Sequence, residues 1–353
     1  MNERRIIIMG MLEKMSVYDH EKVLFVNNKE AGLKAIIAVH NTNRGPAIGG
    51  CRLWPYKSEE EALFDVMRLS RGMSHKNAAA GLDFGGGKAV IIADPKDKNE
   101  KLFEAFAEAV NALDGCYITA EDVNTDCDDA LIMARKTKHI CGLPHISGDP
   151  SPKTALGVWQ GIKAAAKVAF GTDDLKGRTI AVQGLGKVGY DLCRHLHKEG
   201  AKLYVSNLHN KEKLQQAVEE FGAAAVPSDK ILSQKCDILA PCALGAVVNP
   251  DTIPNFNCKV IAGAANNVIL DDASGEALKA RGIMYAPDFI INAGGVINAA
   301  GEAAGNYNEE EVLKKVYNIY NTVEHIMRMS QETGKPEGVL ATEYADECIW
   351  GKK

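Results

Sequence analysis

The sequence predicts an α/β protein built as two domains, and three observations predict it. Short apolar runs alternate with stretches of helical period through the first part of the chain. Residues 147–157, "SGDPSPKTALG", then break both periods with two prolines and two glycines, which marks a hinge. Beyond it a strand, a glycine turn, a helix and a second strand restart the pattern at 178–207. A chain of 353 residues is long enough for two hydrophobic cores.

Taken in order, the start "MNERRIIIMGMLEKM" sets two arginines before a short apolar run, too short for a secretory leader and without a small-residue cleavage site. "KAIIAVH" (34–40) reads as a strand, and Ser58 caps a helix with Glu61 three residues on. On that helix Leu69, Met73 and Lys76 fall at i, i+4 and i+7. "AVIIAD" (89–94) is a strand, 101–113 a helix and "CYITAED" (116–122) a strand. After the hinge come a helix at 154–169 and the unit "RTIAVQGLGKVGYDLCRHLHKEGAKLYVSN", with Gly200 as its helix stop. Further strands end at "CDILAPCA", "CKVIAGAAN" and "GIMYAPDFIINAGG", each in small residues that let a ligand approach. From Asn308 one long helix, capped by Asn308 and Glu311, carries Val312, Val316, Ile319, Val323 and Ile326 back toward the first domain.

Composition narrows the function. A net charge of -5 and no polybasic run offer no field for nucleic acid or an anionic membrane, and no apolar stretch is long enough to span one. Nine cysteines without a C-x-x-C pair suit buried thiols in a reducing compartment, with neither disulfides nor a metal site. The expectation is a soluble, uncleaved, cytoplasmic protein that handles small molecules.

Three features carry chemistry. In "LDFGGGKAVIIAD" (82–94) a phosphate-binding P-loop would need Gly at Leu82, Ser or Thr at Ala89, and a helix after the lysine; all three fail. Lys88 is then either a surface lysine after a flexible turn or an amine at the mouth of a strand, reached past glycines. Lys76 either snorkels from its helix or faces the same cavity as Lys88, where each ammonium would disfavour the other's charge. Asp122 either caps the turn after its strand or is a working carboxylate. The turn Gly184, Leu185, Gly186, Lys187, Val188, Gly189 follows "TIAVQ" and opens a helix, the context of a dinucleotide fingerprint, although a glycine-rich turn that binds nothing has the same letters. Where an acidic residue usually holds the ribose stands Asn207.

The stretches "GPAIGGCR" (45–52), "RGMSHKNAAAGLDFGGGKAVI" (71–91), "YITAEDVNT" (117–125), "DPSPKTALGV" (149–158), "VQGLGKVG" (182–189), "APCALGAVVN" (240–249), "AGAANN" (262–267) and "YAPDFIINAGGVIN" (285–298) resemble the glutamate, leucine, phenylalanine and valine amino acid dehydrogenases, and among them the leucine type. The resemblance implies a substrate-binding and oligomerisation domain over 1–148, joined by C-terminal helices from about 325 to 353. It implies a Rossmann NAD-binding domain over 149–324, with a cleft between the two, and a homo-oligomer. It further implies reversible oxidative deamination of an apolar L-amino acid to its 2-oxo acid and ammonia. Lys76 would hold the α-carboxylate, Lys88, its pKa depressed, would activate water, and Asp122 would shuttle protons. Gly49, Ile48, Ala120, Asn267, Val296 and Ala299 would meet the substrate. Thr154, Cys242, Ala243, Asn267 and Asn292 would join the glycine turn and Asn207 at the cofactor.

Particular residues refine these implications. Ile48 stands where glutamate-type members place a lysine, which with Ala120 and Val296 implies leucine, valine or isoleucine; a small Ala299 leaves room for phenylalanine or tryptophan. Asn207 in place of Asp admits NADP beside NAD. Asp83 in place of Asn puts a further carboxylate in the neighbourhood of Lys88, and a C-terminus shorter than in many relatives leaves the size of the assembly open. A nucleotide-binding sensor without turnover is the competing class.

Overall fold

The computed structural model describes residues 10–243 and 245–351, so the apolar run at the very start lies outside the described residues. The described chain divides into two compact units: one of residues up to Asp149 with Asn298–Glu309 and the residues from Ala345 on, the other of Pro150–Ile297 with Glu310–Tyr344.

The first unit is a six-stranded mixed sheet. Its strands are β1 (Lys22–Asn28), β2 (Leu33–Asn41), β3 (Ala47–Ile48), β4 (Cys51–Trp54), β5 (Gly85–Ile92) and β6 (Tyr117–Ile118), in the order β1-β2-β5-β3-β6 with β4 also on β5. Strands β1 and β2 run antiparallel to their neighbours, whereas β3 and β4 lie parallel to β5. Helix Glu59–Ala79, capped by Ser58 accepting from the Glu61 N–H, covers one face through Ala62, Leu63, Val66 and Met67 against Ile36, Ala38 and Val90. Helix Glu100–Asn111 covers the other through Leu102, Phe103, Phe106 and Val110 against Ile37, Leu53, Ala89 and Ile91.

The three glycines before Lys88 belong to β5 itself, so Lys88 lies within the strand and not at its mouth. Each glycine answers a neighbour. A Cβ on Gly85 would stand 1.9 Å from the Asn41 carbonyl oxygen, one on Gly86 2.1 Å from the Ser74 nitrogen, and one on Gly87 2.6 Å from the Tyr117 ring. The triplet therefore serves close approach of a strand end, a helix and a ring to the sheet, and not a turn open to ligand.

The second unit holds β7 (Thr179–Gln183), β8 (Lys202–Ser206), β9 (Ala224–Ala225), β10 (Ile238–Pro241), β11 (Val260–Ile261) and β12 (Met284–Tyr285), ordered β12-β11-β10-β7-β8-β9. Every pairing is parallel. This is the doubly wound order 3-2-1-4-5-6 of a Rossmann sheet. The stretch read as one helix from Asn308 runs as Glu309–Tyr317 and Ile319–Thr333, nearly continuous because Asn318 still donates to Lys314 O and accepts from Thr322 N. The residues from about 325 do not all join the first unit. Ile319 packs where Gly157 of helix Ser151–Phe170 leaves room, and Lys279 pairs with Glu337, so this segment stays with the second unit. The first unit takes only the end of helix Glu337–Trp350, through Asp346 on His75 and the Cys348 carbonyl on Arg44. Among the described residues no helix is long and apolar enough to cross a membrane.

Gly86→Ala should lower the thermal midpoint, since overpacking at this contact costs about 1–3 kcal/mol. Gly72→Ala, in the same helix as Ser74 but with open space around it, should raise the midpoint by the roughly 0.5–1 kcal/mol that glycine costs in a helix. Equal midpoints for wild type and Gly86→Ala would contradict the packing described here.

Candidate functional sites in the two units

Lys88 is 5% exposed on a strand whose other residues are apolar or glycine. A buried ammonium needs a partner. Its Nζ lies 2.7 Å from Asp122 Oδ1, in a side chain 22% exposed. Gly50 makes this contact possible, because a Cβ there would stand 2.9 Å from the Asp122 Cβ and 2.3 Å from the Glu121 carbonyl. The turn after β6 then fixes Asp122: its N–H donates to Thr125 Oγ1, and that hydroxyl donates to the Cys51 carbonyl. Burial alone would raise the Asp122 carboxyl, but Lys88 and Arg52 together outweigh it and bring it from 3.8 down to about 2. The carboxylate is thus held ionised and hydrogen-bonded to the amine.

Ile48 is buried on β3 in register with Gly86, which puts its side chain on the Lys88 face of the sheet. Gly49 lies where a Cβ would meet the Gly87 carbonyl at 1.9 Å and Met73 at 3.1 Å. Lys76 occupies the last turn of helix Glu59–Ala79, two residues past Ser74, and is half-buried like Leu69 and Met73, so the three form the flank of the helix rather than its core line. Ala120 is half-buried beside the β6 turn, and Val296 and Ala299 are half-buried one turn apart on helix Gly294–Ala303. Asp83 corrects an expectation: its carboxylate is 91% exposed and pairs with Arg44 at 3.4 Å, so solvent screens it.

In the second unit the three motif glycines have three different surroundings. Gly184 sits at φ +94°, a Cβ on Gly189 would stand 2.1 Å from the Gly184 carbonyl, and nothing lies within 4 Å of a Cβ on Gly186. They make a tight turn, a close helix-on-strand contact and an open approach, the arrangement a pyrophosphate requires. Helix Lys187–Lys198 starts at Gly186 with no side chain capping it, which leaves a positive dipole end for an anion. Leu185 is buried and Val188 half-buried behind this exposed edge, while Lys187 faces outward. Asn207 directly follows β8 and donates to the Asn210 carbonyl at 3.2 Å, which keeps its own oxygen as an acceptor. Ala243 packs on Gly184; Cys242 donates its N–H to the Gln183 carbonyl, and burial pushes its thiol up to about 12.

Thr154 donates its hydroxyl to the Pro150 carbonyl and keeps an acceptor lone pair. Asn292 donates to the Ala264 carbonyl and to Asn266 Oδ1, while its own buried Oδ1 has no partner among the described residues. Asn267 is exposed, in the left-handed region at φ +51°, and its carbonyl accepts from the Ala246 N–H. These residues fit a nicotinamide dinucleotide: an uncapped helix start for phosphates, a polar acceptor at the end of the second strand for a ribose, and an unpaired amide oxygen for a carboxamide. Among the described residues no group of three or more His, Cys, Asp or Glu could hold a metal ion.

One residue was quoted in the sequence without being singled out. Arg52 lies on β4, where burial alternates and Cys51 and Leu53 point to the core. Its Nε donates to Asp122 Oδ2 at 3.1 Å and its Nη1 to Asp65 Oδ2 at 3.0 Å. An arginine between two buried residues of a strand, itself only half-buried, calls for carboxylates nearby, and that was the available signal.

Comparison with known proteins agrees with both units. Residues 20–139 match the model of the Glu/Leu/Phe/Val dehydrogenase dimerisation domain, and 148–349 that of the Glutamate/Leucine/Phenylalanine/Valine dehydrogenase. The chain is 54% identical to a leucine dehydrogenase of Bacillus subtilis (strain 168) over 345 residues, 97% of this chain and 94% of that protein. It is 44% identical to a phenylalanine dehydrogenase of Caldalkalibacillus thermarum over 341 residues, 94% of this chain and 92% of that one. The crystal structure of an L-tryptophan dehydrogenase from Nostoc punctiforme superposes with a TM-score of 0.86 at 43% identity, covering 96% of this chain and 98% of that one.

Proposed function

The chain belongs to the Glu/Leu/Phe/Val dehydrogenase family, and on that premise we propose that it deaminates a branched-chain L-amino acid, leucine, valine or isoleucine, with NAD as the preferred cofactor. It is an amino acid dehydrogenase and takes a nicotinamide cofactor. The observation that carries the substrate reading is buried Ile48 on the same sheet face as Lys88. A substrate with a distal carboxylate would meet an isoleucine there in place of a lysine to grip it, and burying that charge unpaired would cost several kcal/mol. Identity of 54% to a leucine dehydrogenase, against 44% to a phenylalanine dehydrogenase, supports the aliphatic choice. We further propose that the protein works as a cytoplasmic homo-oligomer, which the dimerisation-domain match supports.

The chemistry divides among named groups. Lys76 pairs with the substrate α-carboxylate. A dinucleotide held by its phosphates at the Gly184–Gly189 turn would supply, through its nicotinamide, the acceptor for the hydride from Cα. Lys88, made neutral by passing its proton to Asp122, takes a proton from the water that adds to the resulting imine carbon, and Asp122 moves the proton it has received to the nitrogen, until ammonia leaves and the 2-oxo acid remains. The bond between Lys88 and Asp122 supports this division, because it lets one group relay a proton to the other.

The experiment is a panel of L-amino acids with NAD, followed as absorbance of the reduced cofactor, run on wild type and Lys88→Ala. Branched-chain substrates should lead, and Lys88→Ala should lose at least about 10²-fold in kcat while still binding dinucleotide. An aromatic amino acid in the lead would overturn the substrate reading, undiminished turnover in the variant would remove Lys88 from its role, and silence across the panel would favour the sensor.

Cofactor choice turns on Asn207. An aspartate there would repel the 2′-phosphate of NADP by about 4 kcal/mol at 4 Å and an effective dielectric of about 20, and asparagine removes that repulsion. It adds no attraction. The cations that follow it in sequence are Lys211 and Lys213, with His209 if protonated, and no arginine follows in that stretch to offer a fork for phosphate. NADP should therefore support turnover with discrimination below about 10³-fold, and Asn207→Asp should widen the gap. Comparing kcat/KM for both cofactors in both proteins checks this; strict NAD dependence in wild type would contradict it.

A further inference from the structure

Asp122 can act as a proton shuttle only if its carboxylate is aimed, and a free carboxylate rotates readily about its last torsion. Its two oxygens are divided here: Oδ1 faces Lys88 Nζ at 2.7 Å and Oδ2 accepts from Arg52 Nε at 3.1 Å. Arg52 is itself held from behind. Its Nη1 donates to Asp65 Oδ2 at 3.0 Å, and Asp65 also accepts from the Tyr56 hydroxyl at 2.6 Å and from Arg68 Nη2 at 3.0 Å. The Arg52 and Asp122 side chains are each 22% exposed and Asp65 is 16% exposed, so solvent screens this chain of bonds only in part.

The fold gives Arg52 this position by register. It pairs with Val90, two residues past Lys88 on β5, so both cations point to one face of the sheet. Asp65 comes from helix Glu59–Ala79, which covers that face, and Asp122 from the turn after β6. Three elements distant in sequence meet through one planar guanidinium, whose fixed donors set the orientation of each carboxylate they touch. A lysine at position 52 would supply the charge without the fork.

We infer that Arg52 is a positioning residue for the deamination, holding the Asp122 carboxylate so that one oxygen stays with Lys88, and that Asp65 anchors Arg52 for this purpose. The inference rests on the reading of Asp122 as the proton shuttle. It assigns Arg52 no contact with substrate. Its loss therefore acts on turnover rather than on binding, and only while Asp122 is present to be aimed.

The test is steady-state kinetics with the best panel substrate on wild type, Arg52→Gln, Arg52→Lys, Asp65→Asn, Asp122→Asn and the double variant Arg52→Gln/Asp122→Asn. Arg52→Gln should lose about 10-fold or more in kcat with KM for the amino acid changed by less than about threefold. Arg52→Lys should recover part of the loss, and Asp65→Asn should lower kcat in the same direction by less. In the Asp122→Asn background, Arg52→Gln should change kcat by less than about twofold, because residues that act as a unit are not additive. A wild-type kcat in Arg52→Gln, an equal loss with and without Asp122, or an effect confined to KM overturns the positioning role and leaves the shuttle standing. Should Arg52→Gln not fold, a wild-type kcat in Asp65→Asn overturns it in the same way. A wild-type kcat in Asp122→Asn instead removes the shuttle, and the positioning role with it.

Discussion

A lysine ammonium inside a sheet is the constraint from which the first unit is built. Desolvating such a charge is costly unless a carboxylate is brought to it with good geometry, and β5 offers none of its own, since its neighbours to Lys88 are glycine and apolar residues. The carboxylate must come from another element, here the turn after β6. The missing side chain at Gly50, between β3 and β4, leaves the space through which Asp122 reaches across. Thr125 ties down the backbone of that turn, and Arg52 takes the oxygen that Lys88 leaves. On β5 itself Gly86 and Gly87 let Ser74 and Tyr117 pack closely beside the amine. A buried ion pair of this kind contributes little to net stability compared with an apolar replacement.

The second unit is organised by a different electrostatic feature. The helix after β7 starts with no side-chain cap, and its first N–H groups and dipole stay available to an anion. Strand order supports this: β7 is central, flanked by β8 and β10, so the turn at Gly184 opens where the connections diverge to either side. Asn207 then stands one residue beyond β8, next to the point the glycine turn defines. Positive φ at Gly184 and the absence of any neighbour at Gly186 are local backbone facts, and they would hold whichever dinucleotide binds.

How much of this was legible in the sequence follows from the range of the interactions. The glycine turn was legible, because its strand, turn and helix are contiguous and two of its needs are local, the positive φ at Gly184 and the contact of Gly189 with the Gly184 carbonyl. Lys88 and Asp122 were legible as candidates, but not as a bonded pair, since 34 positions separate them and only the packing of β6 beside β3 brings them together. The glycine triplet was read as lying ahead of the strand, whether as a turn or as its mouth, and not within it: glycine is disfavoured in strands, and the reason it occurs here lies in Asn41, Ser74 and Tyr117, which no local pattern shows. Arg52 was missed for the same reason, its two carboxylates lying 13 and 70 residues away. Asp83 misled in the opposite sense, being close to Lys88 in sequence while its side chain turns out to Arg44 and solvent.

The claim on which the account depends most is that Asp122 is held ionised beside Lys88, and the stability gap between wild type and Asp122→Asn as a function of pH measures it directly. A carboxyl lowered from 3.8 to about 2 in the folded chain contributes about 2 kcal/mol, fully present above its unfolded pKa and lost as pH falls through the folded one. Denaturant unfolding should therefore give a gap that is constant from about pH 7 to 5, begins to shrink near pH 4 and closes toward pH 2 by about that amount. A gap that shows no dependence on pH over this range, or one that widens on acidification, would contradict it.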